Sequence, residues 1–353
     1  MKRDKYMGMD VHQAMTVVAV MNAEGKIVLE TMVATSAAAI RGLIQSLSGP
    51  LHVTLEETTQ AEWLQEVIRD LVTEVVVCDP RRNKLLMEGS KGDKPDARRL
   101  AELLRIGMVR SVWHGHDKTR GLKEMVRAYE TFTIDTKRTM LRIKAIYRSR
   151  GIATDGTGVY QVTQREHWLG QISEMGMRQR AAWLYEQLDQ VRKLRKQAKA
   201  GMLGESRGHR AIALLRSIPQ LGPIRSAQIV ATADTPYRFR TKRQFWSYCG
   251  LAVVTHSSAE YEFKAGRVQR RSKPVATRGL NQNCNRRLKS VFVSAATAGG
   301  QSDPWREYLE SLKEKGMRPE MIRLTLARKI AAVALTIWKK GETFDPKKLN
   351  ATT

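Results

Sequence analysis

At 353 residues the chain is longer than one hydrophobic core usually serves, so two compact domains and a linking element are expected. Lys and Arg number 61 against 35 Asp and Glu, a net charge of +26, which points to a polyanionic partner such as nucleic acid or an acidic membrane surface. No apolar run reaches the ~18 residues of a membrane span, no secretory core follows Met1, and Cys78, Cys249 and Cys284 have neither CxxC spacing nor a nearby His pair; the expectation is a cytoplasmic protein with reduced thiols, not a zinc or disulfide scaffold.

In chain order, runs rich in Val, Met and Ile at residues 6–11, 15–21 and 26–33 predict three successive antiparallel strands, the last two joined through Asn22-Ala23-Glu24-Gly25. A helix over 36–47, a strand over 51–56, a helix over 60–72, a strand over 75–78 and helical segments over 80–106 follow. The order β-β-β-α-β-α-β-α builds a mixed sheet covered by helices on both faces, the α/β arrangement of the RNase H-like fold. This domain is placed at residues 1–112.

Residues 113–207 read as a helical coiled-coil arm. Leu122, Met125, Tyr129, Phe132, Thr136, Met140, Ile143 and Tyr147 recur at spacings of three and four, and Ala181, Leu184, Leu188, Val191 and Ala198 make a second seam. With a Gly-rich turn at 151–158, the pattern predicts two antiparallel limbs of about 40 residues, each roughly 60 Å long at 1.5 Å per residue. Such an arm is either a spacer and dimerisation element or a helical hairpin packed within one globule.

Residues 208–353 read as a mostly α domain. It opens with Ile218-Pro219-Gln220-Leu221-Gly222-Pro223-Ile224-Arg225-Ser226-Ala227, either a helix-hairpin-helix whose N–H groups around Gly222 bind a phosphate, or a plain Pro/Gly-capped turn. Charge follows the same division. Residues 1–105 hold 14 basic and 15 acidic side chains, and the remainder carries +27.

Four carboxylates in the first domain suggest chemistry. Asp10 ends the first strand and Glu56 ends a strand expected to be its parallel neighbour, while Asp93 and Asp96, three apart at a helix start, project to one side. Clustered carboxylates repel one another and raise each other's pKa values unless a cation neutralises them. Hard oxygen ligands suit Mg²⁺, and a pair of such ions can stabilise the attacking and leaving oxygens of a phosphoryl transfer. Glu57 competes with Glu56 for the role.

Met7-Gly8-Met9-Asp10-Val11-His12, Leu55-Glu56-Glu57-Thr58, Asp79-Pro80-Arg81-Arg82 and Gly92-Asp93-Lys94-Pro95-Asp96-Ala97 resemble, in order, the blocks of the DEDD-type insertion-sequence transposases related to the Piv invertases. Ile218-Pro219-Gln220-Leu221-Gly222-Pro223, Tyr248-Cys249-Gly250-Leu251, His256-Ser257-Ser258 and Thr277-Arg278-Gly279-Leu280-Asn281 resemble that family's second domain. The resemblance implies a RuvC-like domain binding Mg²⁺ through Asp10, Glu56, Asp93 and Asp96, and a serine nucleophile at Ser258. It further implies donor and target double-stranded DNA, a structured guide RNA called a bridge RNA, a homo-oligomer (a dimer assembling to a tetramer), and the bacterial cytosol. Ala259 stands where the family usually has Gly, so Ser257 remains an alternative to Ser258, and Thr59-Gln60 stand where Gly is common. A Piv-type invertase would share every residue named, whereas a RuvC-like junction nuclease would need the acids and no serine.

Lys264, Arg267, Arg270, Arg271, Lys273, Arg278, Arg286, Arg287 and Lys289 crowd the stretch after Ser258 and are expected to bind nucleic-acid phosphates, with steep salt dependence. Arg81 and Arg82 are expected to steer a phosphate backbone toward the acids, or to cap a helix. Phe245, Trp246 and Tyr248, ahead of Gly250, are expected in the core rather than stacked on bases.

Overall fold

The computed structural model describes residues 4–80, 93–114, 117–257, 261–264, 266–270, 276–299 and 304–349. The chain forms two compact units, Met1–His114 and Gly115–Thr353.

The first unit runs β1 (Lys5–Val11), β2 (Met15–Asn22), β3 (Ile27–Ala34), α1 (Ala37–Gln45), β4 (Leu51–Glu56), α2 (Ala61–Ile68), β5 (Glu74–Cys78) and α3 (Asp93–Arg105), the order expected from the sequence. Its single five-stranded sheet is ordered β3-β2-β1-β4-β5. β1 pairs antiparallel with β2 and parallel with β4, and β5 pairs parallel with β4. Alternation along these strands sorts the two faces. Met7, Met9, Val18, Val20, Val53, Leu55 and Val77 turn to one face and close a core with Ile40 and Ile44 of α1 and Leu64 and Ile68 of α2. Each such side chain, fully buried, contributes about 1.5–3 kcal/mol. Ser36 starts α1 as its cap, accepting from the Ala39 N–H at 3.3 Å.

Gly8, Asp10, Val17 and Ala19 turn to the other face, where Val17 and Ala19 pack on Ala97 of α3. α3 lies directly on the strand backbone. A β-carbon at Gly8 would stand 2.1 Å from the Ala97 carbonyl oxygen and 2.5 Å from the Ala101 nitrogen, so only glycine permits this approach.

In the second unit, α4 (Arg120–Arg148) and α6 (Met175–Glu205) pack along each other in antiparallel fashion, Gly121 lying against Glu205 and Tyr147 against Tyr185. The limbs have 29 and 31 residues, shorter than the 40 the seams suggest. The missing length folds into a cap of two 3-10 turns (Gly158–Tyr160 and Val162–Gln164) and α5 (Arg165–Gly170). Val159, Tyr160 and Ile172 from this cap close a small core with Ile143, Tyr147, Tyr185 and Leu188.

The rest of the unit comprises α7 (Arg210–Arg216), α8 (Pro223–Ala233), α9 (Lys242–Tyr248), α10 (Arg286–Gly299), α11 (Trp305–Glu314) and α12 (Pro319–Lys340). Phe245, Phe292, Trp305, Leu326 and Ile330 form its core, and Leu122, Val126 and Met202 from the root of the long helix pair join it. Helices dominate, but two antiparallel ribbons interrupt them: β6 (Val253–Ser257) with β9 (Ala276–Leu280), and β7 (Tyr261–Lys264) with β8 (Arg267–Arg270). Among the described residues no helix is long and apolar enough to cross a membrane.

Candidate active site

The sheet register brings three strand ends together. Met9 lies opposite Leu55, so Asp10 and Glu56 are the next residues of neighbouring parallel strands, on the face that carries α3. Glu56 lies opposite Cys78, which puts Asp79 just beyond the end of β5. Backbone hydrogen bonds pin these ends: the Glu57 N–H donates to the Cys78 carbonyl at 2.9 Å, the Asp79 N–H to Arg110 at 3.2 Å, and the Val112 N–H to Val77 at 2.8 Å. Asp96 belongs to the first turn of α3, next to the Ala97 that rests on Gly8.

Burial, followed by the charges of Asp10, Asp96 and Asp79, holds the Glu56 carboxyl above the usual carboxylate range. Asp10, Asp96 and Asp79 thus lie near enough to Glu56 for their charges to act on it. Asp93 opens α3, but its side chain lies outside the described residues. Asp79 joins this group through the register of β5 against β4, a relationship that neither strand states alone. Around this group, His12 Nε2 is 3.2 Å from Asp10 Oδ2, and Arg99 Nη1 is 3.3 Å from Asp96 Oδ1. Glu57 pairs with His114.

Among the described residues no three Asp, Glu, His or Cys side chains draw close enough to hold a metal ion. The chemistry of the donor set nevertheless fits a hard divalent cation. The donors are carboxylates, and their mutual repulsion, visible at Glu56, is what a bound cation relieves.

In the second unit, Ser258 lies outside the described residues, as do Arg81, Arg82, Arg271 and Lys273. Ser257 ends β6 opposite Ala276 of β9, and Arg278 stands opposite Thr255, its side chain outside the described set. Lys264, Arg267 and Arg270 are exposed on the β7–β8 ribbon, with Tyr261 and Phe263 exposed beside them. Arg286 and Arg287 are exposed at the start of α10, Lys289 is half-buried, and Arg287 Nε lies 3.1 Å from Glu130 Oε2.

Gly222 caps α8, with Pro223 in its first turn, and the chain between α7 and α8 makes the tight turn expected. Gly222 borders a groove of about 660 Å³ that also exposes Lys199, Arg225 and Arg287. Phe245 is buried, while Trp246 and Tyr248 pack partly buried on the same core, as expected. Gly250 has φ +66°, and a β-carbon there would stand 2.4 Å from Cys284 Sγ, so the Tyr248-Cys249-Gly250-Leu251 turn requires glycine. Cys78, Cys249 and Cys284 are free thiols.

Two transposase family profiles match the chain, the first running past the unit boundary and through α4. Residues 7–149, which include every acid of the candidate site, match a transposase family profile of the DEDD IS110 type. Residues 212–310, which include both ribbons, match the profile described as transposase IS116/IS110/IS902 family. A Sinorhizobium fredii protein with a transposase name, y4pF/y4sB, is 28% identical over 136 residues, covering 37% of this chain and 32% of the relative. The alignment therefore spans about a third of that relative's length. Two profiles of one family, matched in chain order across well over half of the sequence, show that the chain belongs to the IS110 family of transposases.

Proposed function

We propose that the chain is a DNA transposase that moves an insertion sequence, with a RuvC-like, RNase H-like first unit and a serine nucleophile in the second. The observation that supports this most directly is the Glu56 carboxyl, pushed up by burial and by Asp10, Asp96 and Asp79 at one end of a mixed sheet. In this reading Asp10, Glu56, Asp93 and Asp96 hold Mg²⁺, and Asp79 adds negative charge beside them. Bound there, Mg²⁺ supplies Lewis-acid stabilisation of phosphoryl oxygens.

Ser258 is the nucleophile of this reading. Its hydroxyl forms a phosphodiester to one DNA end while the bond to the other end breaks, and the departing sugar oxygen takes up a proton. Attack by a hydroxyl of a second strand on the serine–phosphate bond then rejoins DNA and restores Ser258. A serine hydroxyl is a weak nucleophile at its ordinary pKa and needs activation by a base, a lowered pKa or a metal. Lys264, Arg267, Arg270, Arg271, Lys273, Arg278, Arg286, Arg287 and Lys289 bind backbone phosphates, as do the N–H groups beside Gly222, while Arg81 and Arg82 lead the strand toward the acids. The partners of this reading are donor and target DNA, a bridge RNA and further copies of the chain joined through α4 and α6.

Two measurements test it. Asp10→Asn should abolish strand cleavage and leave nucleic-acid binding within a few fold of the parent. On a nicked substrate that traps intermediates, Ser258→Ala should lose the denaturation-resistant protein–DNA adduct and Ser257→Ala should keep it. Normal recombination by Ser258→Ala would remove the serine from the mechanism, and loss of the adduct in Ser257→Ala alone would move the nucleophile by one residue.

A further inference from the structure

A cavity of about 550 Å³ opens in the second unit between α9, α11, α12 and residues 342–349. Its volume falls in the range of small-molecule sites. Three aromatic side chains, Trp246, Tyr308 and Phe344, contribute to its wall. The first two carry an ammonium group over the ring, Lys242 Nζ at 5.9 Å from the Trp246 centroid and Lys329 Nζ at 5.6 Å from that of Tyr308.

The cationic side chains are partly taken out of water. Arg328 Nε donates to the Leu251 carbonyl at 2.6 Å and Trp246 Nε1 donates to the Arg328 carbonyl at 2.9 Å, which fixes the arginine against the wall. Its Nη2 is buried and has no hydrogen-bond partner among the described residues. Burial lowers the pKa of Arg328, and burial together with the charge of Lys242 lowers that of Lys329. Lys340 and Lys348 add charge at the cavity, where the acids are Glu342, which pairs with Lys348 at 3.2 Å, and Asp345, which accepts from the Lys347 N–H. Positive charge therefore exceeds negative charge around a partly apolar hollow.

We propose that this cavity binds a nucleotide, its phosphate on Arg328 and Lys329 and its base against Trp246 and Tyr308. A phosphate pairs with the cationic side chains that line the cavity, and planar rings stack on aromatic walls. A bare anion would satisfy the arginine and leave the aromatic wall unused. The same chemistry is offered by a free mononucleotide and by an unstacked residue of a bound strand. The inference does not depend on the carboxylate group of the first unit.

Calorimetric titration of the full chain with AMP, with inorganic phosphate and with a single-stranded 12-nucleotide oligomer tests it. AMP should bind at least about tenfold more tightly than phosphate, and Ala332→Trp, which fills the cavity, should weaken AMP at least about tenfold while the protein keeps its circular dichroism spectrum. If that variant does not fold, Lys242→Glu, on the exposed side of α9, should give the same loss. No AMP binding, equal binding of phosphate, or AMP binding unchanged in a folded cavity variant would overturn the proposal. Where AMP binds as expected, displacement of the oligomer by AMP identifies a strand residue as the occupant, and simultaneous binding of both identifies a free nucleotide.

Discussion

The carbonyl oxygen of Ala97 stands 2.1 Å from the position a β-carbon of Gly8 would take. Alanine in a strand interior is ordinarily better than glycine by about 0.5–1 kcal/mol, because glycine loses more backbone entropy. Here the atom in the way belongs to a helix backbone and cannot rotate aside, so the clash outweighs that gain. Gly8→Ala should destabilise the protein by about 1–3 kcal/mol, the usual range for overpacking. A urea midpoint equal to the parent's would show that α3 can move off the strand freely.

Glu56→Gln and Glu57→Gln should differ in sign as well as size. Glu56 is held above its ordinary range, so the stability it contributes is present at low pH and is lost as pH rises through its folded-state value. In metal-free buffer at neutral pH, Glu56→Gln should therefore melt higher than the parent. Added Mg²⁺ should raise the melting temperature of the parent and of Glu57→Gln, but not of Glu56→Gln. Equal responses of all three proteins would place the cation elsewhere.

The exposed cations of the β7–β8 ribbon can be assayed by salt. Each phosphate contact to duplex DNA contributes about 0.9 to the slope of log affinity against log salt. Replacing Lys264, Arg267 and Arg270 together by Gln should flatten the slope by up to about 2.7. An unchanged slope would mean that this ribbon does not meet the backbone.

Arg165 and Asp189 join α5 to α6 through two parallel hydrogen bonds of 2.5 and 2.6 Å. The hydrogen bond from Arg165 holds the Asp189 carboxyl below its ordinary range, so its stabilisation is present above the unfolded-state pKa and is lost as pH falls through the folded one. Asp189 is partly exposed, which limits the pair to about 1 kcal/mol. Asp189→Asn should melt about 2–4 °C lower than the parent at pH 7. The gap should close in acid, and a gap that persists to pH 2 would assign the difference to packing.

Much of the first unit was readable because its strands alternate cleanly. Met7 and Met9 on one side, and Gly8 and Asp10 on the other, declare two faces before any partner is known. Asp79 was not readable as a neighbour of Glu56, since that depends on the register of β5 against β4, which neither strand states alone. The β6–β9 pairing was missed for a related reason: Val253–Ser257 and Ala276–Leu280 are short and lack alternation, and their partnership spans a long basic segment. The limbs of the helix pair were overestimated because a seam of apolar residues marks a face and not an end. Tyr160 and Ile172 prolong the apolar pattern and are used in the cap instead.

The long helix pair has an apolar cluster at each end. Leu122, Val126 and Met202 belong to the body of the second unit, while Ile143, Tyr147, Tyr185 and Leu188 belong to the cap. Between them α4 buries Thr136 and Thr139, and the Thr136 hydroxyl turns back to its own helix, donating to the Phe132 carbonyl at 2.7 Å. Cooperativity should weaken across that polar waist. In hydrogen exchange the amides around Tyr147 and Tyr185 would then open together at one free energy, those around Val126 and Met202 at another, and the amides of residues 133–139 would follow whichever end opens first.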